Sequence, residues 1–201
     1  MKTMTFEETC QKIASLKLVQ ASSGNLSERS KFNEGEFFIT STGCWFETMD
    51  HQQKVRCSLE TKKKIDKDSP DPSSEILMHA LTLENRPDVN VVLHYQPVHG
   101  TLISCIFDAE LLPDFNVIPE VPYYINKISY VTYHKPGSVE LAQCVSNALK
   151  EQNLVIMRNH GLTVVGCNFE QVLQRAIFFE LACEILVKAR DKWELDRIYK
   201  L

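Results

Sequence analysis

The stretch NVVLHYQPVH, residues 90–99, is rich in β-branched residues and ends in polar groups, the pattern of a strand running to a sheet rim. Side chains on a strand alternate faces, so His94 and Gln96 project to one side while Val91, Leu93 and Tyr95 project to the other. An imidazole and a carboxamide aimed at one point are both donors for a divalent cation. A second imidazole, His160, sits in Asn159-His160-Gly161 between the apolar runs NLVIMR and LTVVG. That is a hairpin turn with glycine in the left-handed position, where two strands can hold a side chain still. Each histidine alone also has a plainer role, His94 as a buried ring bonded to backbone and His160 as a solvent-facing turn residue. His51, His79, His99 and His134 make weaker claims.

A carboxylate and a set of anion donors accompany the imidazoles. The run SSEILMHALTLENRP reads as a helix started by a serine cap and closed before Pro87. Its N-terminal N–H groups and the positive end of its dipole favour an anion such as phosphate beside Ser73 and Ser74. In the same first turn Glu75 stays ionised and available as a base unless burial reverses the effect. The plain alternative is a serine cap with an acidic first-turn residue and no ligand. Likewise SSGN with Asn25, and STG with Thr42 and Gly43, are either ordinary turns or backbone nests that accept phosphate oxygens.

The elements that must position these groups alternate between helix and strand without a regular βαβ rhythm. Phe6, Ile13, Leu16 and Leu18 mark one face of a first helix, which the small residues of ASSGNLSER interrupt. GEFFIT is a strand entering the STG turn, and residues 50–71 read as polar and irregular. Residues 98–106 suit a short helix, and 111–136, with four prolines and four tyrosines, follow no readable pattern. SVELAQCVSNALKE is an amphipathic helix, and NFEQVLQRAIFFELACEILVKA is a long one opening on an Asn168/Gln171 capping box. The expectation is an α/β sandwich with a mainly antiparallel sheet.

Bulk properties narrow the function classes. With 201 residues, 44% hydrophobic and 24% charged, the chain suits a single domain, 1–201, with a substantial core. A net charge of -4 and a pI of 5.9 give no general attraction to nucleic acid or anionic membrane. Lys62, Lys63 and Lys64 lie in a stretch of mixed sign without interleaved aromatics, which reads as a solvated loop. Seven scattered cysteines without a C-x-x-C pair fit a reducing cytosol. The acidic, amphipathic start and the absence of a run of about eighteen apolar residues imply a chain neither secreted nor membrane-spanning, hence cytoplasmic.

In order and spacing, SSGNLSER, ITSTG, PSSEILMHALTLENRPDVNVVLHYQPVH and NHGLTVVGCNFEQVLQRAIFFELACEI together resemble the class II aldolase and adducin head-domain family, over roughly residues 5–190. The resemblance implies a three-layer α/β/α fold with a mainly antiparallel central sheet, usually in a homotetramer with active sites between neighbouring subunits. It also implies a divalent metal, commonly zinc, and for the L-fuculose-1-phosphate aldolase type a phosphorylated ketose cleaved through a metal-stabilised enediolate. His94 matches the first metal ligand, His160 the last, and Glu75 the acid/base glutamate. Asn25, Thr42, Gly43, Ser73 and Ser74 match the phosphate-binding positions.

Two departures leave alternatives open. Gln96 stands where the family has its middle histidine. It is a ligand in a variant site where Mg²⁺, Mn²⁺ or Co²⁺ compete better with zinc, or a supporting residue beside water or His99, or the mark of a site that has lost its metal. In addition, Asn116 takes the place of a family tyrosine, Tyr123 and Tyr124 are only loosely equivalent, and after Ala189 only RDKWELDRIYKL, with Tyr199, follows. Epimerase, dehydratase or decarboxylase chemistry, or a non-catalytic adducin-like module, therefore stand beside the aldolase reading.

Overall fold

A computed structural model of the protein describes residues 4–106 and 109–189. Strands β1 (Asn25–Arg29), β2 (Glu36–Thr40), β3 (Lys54–Ser58), β4 (Val91–Tyr95), β5 (Ile128–Val131), β6 (Leu154–Met157) and β7 (Gly161–Gly166) form one sheet in the order β3-β2-β1-β4-β7-β6-β5. Neighbours are antiparallel except β5 and β6. The helices are α1 (Phe6–Ser15), α2 (Ile76–Asn85), α3 (Val98–Ile106), α4 (Val139–Ala148) and α5 (Phe169–Ala189).

Strand alternation sorts the apolar side chains into two layers. Leu26, Leu93, Tyr95 and Ile156 meet Ile13 of α1, Ile103 of α3 and Phe179 of α5. On the opposite face Ile39, Val92 and Val155 meet Met78 of α2 and Val145 of α4. Each large apolar side chain buried this way contributes ~1.5–3 kcal/mol. The two clusters therefore hold the sheet and leave its polar rim free to vary. The result is the expected α/β/α sandwich with a mainly antiparallel sheet.

Local sequence explains the helix starts. Thr5 and Glu8 form a full capping box on α1, and Ser138 Oγ accepts the Leu141 N–H at the start of α4. Before α5, Asn168 Oδ1 accepts the Gln171 N–H at 2.8 Å. The Gln171 carboxamide takes the N–H of Cys167 at 2.9 Å, so the predicted box closes one residue early.

Three expectations are corrected. Residues 50–71 are not wholly irregular, because Val55 and Cys57 alternate with the polar Lys54, Arg56 and Ser58 to make the edge strand β3. The unreadable segment 111–136 contains one wide helical turn, Val121–Ile125, and β5, whose parallel pairing needs no hairpin signal. The helix after Pro72 starts at Ile76, with Glu75 at the cap position and no side-chain cap. Ser73 instead closes a turn ahead of it: its N–H donates to Thr40 O, and its Oγ accepts the Glu75 N–H at 3.2 Å. Lys62–Lys64 follow the turn after β3, with Lys64 bridged to Cys57; Lys62 pairs with Glu84 and Lys64 with Asp71.

Candidate active site

The starts of β1 and β7 and the end of β4 meet at one rim, since Asn25 pairs with His94 and Tyr95 with Leu162. That rim holds a pocket of about 190 Å³ lined by Asn25, Thr42, Gly43, Ser73, Ser74, Glu75, His94, Gln96 and His160. These are all nine residues the sequence singled out. Ser22, Ser23, Gly24, Ser41 and Pro136 complete the wall.

His94 is buried, and its Nδ1 lies 2.9 Å from Leu162 O. A carbonyl only accepts, so Nδ1 carries the proton and Nε2 keeps its lone pair. Burial lowers the His94 pKa to about 4, partly offset by that bond, so the ring is neutral near pH 7. The backbone contact foreseen as the plain role of His94 thus also leaves on Nε2 the lone pair that a metal ion would need. His160 packs against it edge to face, with centroids 4.8 Å apart. Burial and the neighbouring His94 lower the His160 pKa to about 4, opposed by Glu75, and its Nδ1 is buried without a partner.

Two neutral imidazoles in contact, one with its tautomer fixed and one with an orphaned nitrogen, fit a divalent cation. Among the described residues no three His, Cys, Asp or Glu side chains gather as a metal group; the Gln96 carboxamide, which lines the same pocket as the two rings, is the candidate third donor. His99 is not that donor: its Nδ1 is 2.8 Å from Glu180 Oε1, and it does not line the pocket. The close approach of the His160 turn depends on glycine, because a Cβ on Gly161 (φ +143°) would lie 2.8 Å from Tyr95 O. Asn159 also takes a positive φ, of 52°, so two residues of this stretch have positive φ.

Glu75 is buried beside the rings. One carboxylate oxygen accepts the Gly137 N–H at 2.7 Å, and the other is buried without a partner. An unsatisfied buried oxygen of this kind is rare, and general acid/base work is one role that suits it.

The loops offer fewer anion donors than their sequences suggested. The Thr42 N–H is committed to Asp71 O and the Ser73 N–H to Thr40 O. Among the described residues the N–H groups of Gly43 and Ser74 have no such acceptor, and both residues face the pocket. With the hydroxyls of Thr42, Ser73 and Ser74 they form a nest of neutral donors suited to phosphate.

His79, given little weight in the sequence, lies fully buried behind this nest. Its Nδ1 is 2.7 Å from Ser27 Oγ and its Nε2 2.5 Å from Asn25 Oδ1. Burial, reinforced by His94, lowers its pKa to about 3. The readable signals were its position one turn after Glu75 and the polar alternation of Asn25 and Ser27. Asn116 lines a separate pocket of about 440 Å³, Tyr124 stacks on Phe178, and Tyr123 is exposed. None of the three lines the histidine pocket, and Tyr199 lies outside the described residues.

Comparison with known proteins bears on the fold and the family. The profile of the Class II Aldolase and Adducin N-terminal domain family matches residues 5–187. An L-fuculose phosphate aldolase of Methanococcus vannielii is 29% identical over 183 residues, covering 90% of this chain and 94% of its own. The L-fuculose phosphate aldolase of Escherichia coli K12 is 30% identical over 183 residues, covering 89% of this chain and 79% of its own. Among solved structures, an L-fuculose 1-phosphate aldolase superimposes with a TM-score of 0.84 at 21% identity, over 96% of this chain and 88% of its own. YgbL of Escherichia coli, whose name carries the candidate activities aldolase, epimerase and decarboxylase, superimposes at 0.87 with 19% identity, over 96% of this chain and 91% of its own. The chain belongs to the class II aldolase and adducin N-terminal domain family.

Proposed function

We propose that this chain is a divalent-metal-dependent lyase that cleaves a small phosphorylated ketose of the L-fuculose 1-phosphate type. The observation that carries the reading is the convergence of two neutral imidazoles, an unpartnered carboxylate oxygen and a nest of neutral donors in one pocket. His94, Gln96 and His160 would hold the ion; two imidazoles suit zinc, and the amide oxygen improves the standing of Mg²⁺, Mn²⁺ and Co²⁺. When bound, such an ion supplies Lewis-acid polarisation of the substrate carbonyl.

The rest of the work falls to the chain's own groups. Gly43, Ser73, Ser74, Thr42 and Asn25 anchor the phosphate, so binding energy remote from the reacting carbon serves its orientation. The free oxygen of Glu75 carries the proton to and from the carbon left electron-rich when the carbon–carbon bond breaks. A homotetramer with the pockets between subunits belongs to the same proposal, supported by the exposure of Thr42, Gly43 and Ser74 on the open side. So does a cytoplasmic location, with which seven free cysteines agree. No helix among the described residues is long and apolar enough to cross a membrane.

The test is release of dihydroxyacetone phosphate from L-fuculose 1-phosphate and related phosphoketoses, with each of the four cations supplied in turn. Silence across that whole panel rejects the aldolase assignment and leaves epimerase, dehydratase or decarboxylase chemistry to be assayed. A non-catalytic module is favoured by one observation, that among the described residues no three His, Cys, Asp or Glu side chains are placed to hold a metal ion. Elemental analysis separates it: about one ion per chain supports the enzyme, whereas a folded protein that takes up no metal supports the module.

A further inference from the structure

Asn25 and Ser27 occupy alternate positions of β1 and face α2, where His79 bridges them. All three side chains are buried, His79 and Ser27 completely. With the Asn25 oxygen toward the ring, the bonding pattern has one consistent sense. The atom of Asn25 that faces His79 Nε2 is the carboxamide oxygen, which only accepts, so Nε2 must carry the hydrogen. The ring has two neutral partners, so burial keeps it neutral, and Nδ1 is then a bare acceptor to which the Ser27 hydroxyl donates. The Asn25 oxygen is thereby held toward α2, which turns its NH₂ group to the pocket that Asn25 lines.

We infer that Ser27 and His79 are positioning residues which fix the Asn25 carboxamide with its N–H donors toward the pocket, so that this wall accepts an anion and rejects a cation or hydrogen-bond donor. A free Asn presents either end of its amide at similar energy, and only an oriented one discriminates. The inference deepens the reading of the pocket as a phosphate site and rests on it for the identity of the anion. The orientation of the amide is tested separately, through the tautomer of His79.

Two measurements on the full-length protein test it. Long-range ¹H–¹⁵N spectra of the histidine rings should show His79 as the Nε2–H tautomer at neutral pH; the Nδ1–H form, or an imidazolium, overturns the relay whatever the substrate is. Titration with inorganic phosphate should then give about tenfold weaker binding for His79→Leu than for wild type, and binding within about threefold of wild type for His79→Gln, which keeps a donor toward Asn25. Ser27→Ala should fall between them. Equal phosphate affinity in wild type, His79→Leu and His79→Gln, all folded by circular dichroism, overturns the positioning role. If wild type itself fails to bind phosphate while the spectra show the Nε2–H tautomer, the oriented amide stands and the phosphosugar reading falls.

Discussion

The backbone N–H of Gly137 donates to one oxygen of Glu75 at 2.7 Å, tying the turn before α4 to the start of α2. One oxygen is bonded and the other has no partner among the described residues, so in the proposed mechanism a single bond decides which atom of the carboxylate would carry the proton.

Glu75→Gln keeps the shape and an acceptor for Gly137 but loses the titratable oxygen. Turnover of a phosphoketose should fall by about 10²–10⁴-fold. Phosphate affinity should change little, because the donor nest is untouched. A variant as active as wild type removes Glu75 from the mechanism.

Gly137→Ala probes the same bond from the other side. The residue has φ +73°, and an added Cβ would sit 3.3 Å from Ser74 O. The left-handed conformation costs a non-glycine residue about 1–2 kcal/mol, which should appear as a lower urea midpoint. Because the distortion lands on Ser74 and Glu75, turnover should drop as well; undiminished turnover would show the carboxylate to be held by other means.

His94→Ala and His160→Ala should each abolish stoichiometric metal in elemental analysis, while Gln96→His, which supplies a third imidazole, should raise zinc content at limiting zinc. Unchanged zinc in Gln96→His would place that side chain outside the ligand set.

A pH dependence follows from His79, whose pKa is lowered from 6.5 to about 3 by burial and by His94. Between those values the unfolded chain binds a proton that the folded protein refuses. The stability tied to this ring is complete above pH 6.5 and is lost as pH falls toward 3, at up to ~1.4 kcal/mol per pH unit. Urea unfolding of metal-stripped wild type and His79→Gln at several pH values isolates the effect. The wild type should lose stability more steeply on acidification; parallel curves would mean the ring is not held neutral.

Part of the pocket was readable from strict local rules, and the rest from the resemblance to the family. A strand alternates, so His94 and Gln96 had to share a face, and a three-residue turn between apolar runs had to expose His160 at a tip. The order of the motifs then placed the carboxylate and the loops. What stayed hidden depends on distance in space. His79 meets Ser27 and Asn25 across more than fifty positions of sequence, so the polar alternation of β1 could be seen but not the ring it meets. Glu75 was assigned to a helical first turn, yet the bridge between Ser41 and Pro72 keeps the chain extended long enough to delay the helix to Ile76. The edge strand β3 was passed over because its outward residues are charged, which lowers its mean hydropathy without disturbing its period of two.

The rim pocket is assembled from Ser22 to Asn25, Ser41 to Gly43, Ser73 to Glu75, His94 to Gln96 and His160, pieces spread along most of the polypeptide. No fragment holding only half the sheet contains it, so whatever occupies the pocket recognises the finished fold and no earlier intermediate. Occupancy therefore acts as a fastener: at a hundred times its dissociation constant a ligand adds about 2.7 kcal/mol to the unfolding free energy. A melting curve would register the right cation or sugar phosphate before any turnover assay had been devised.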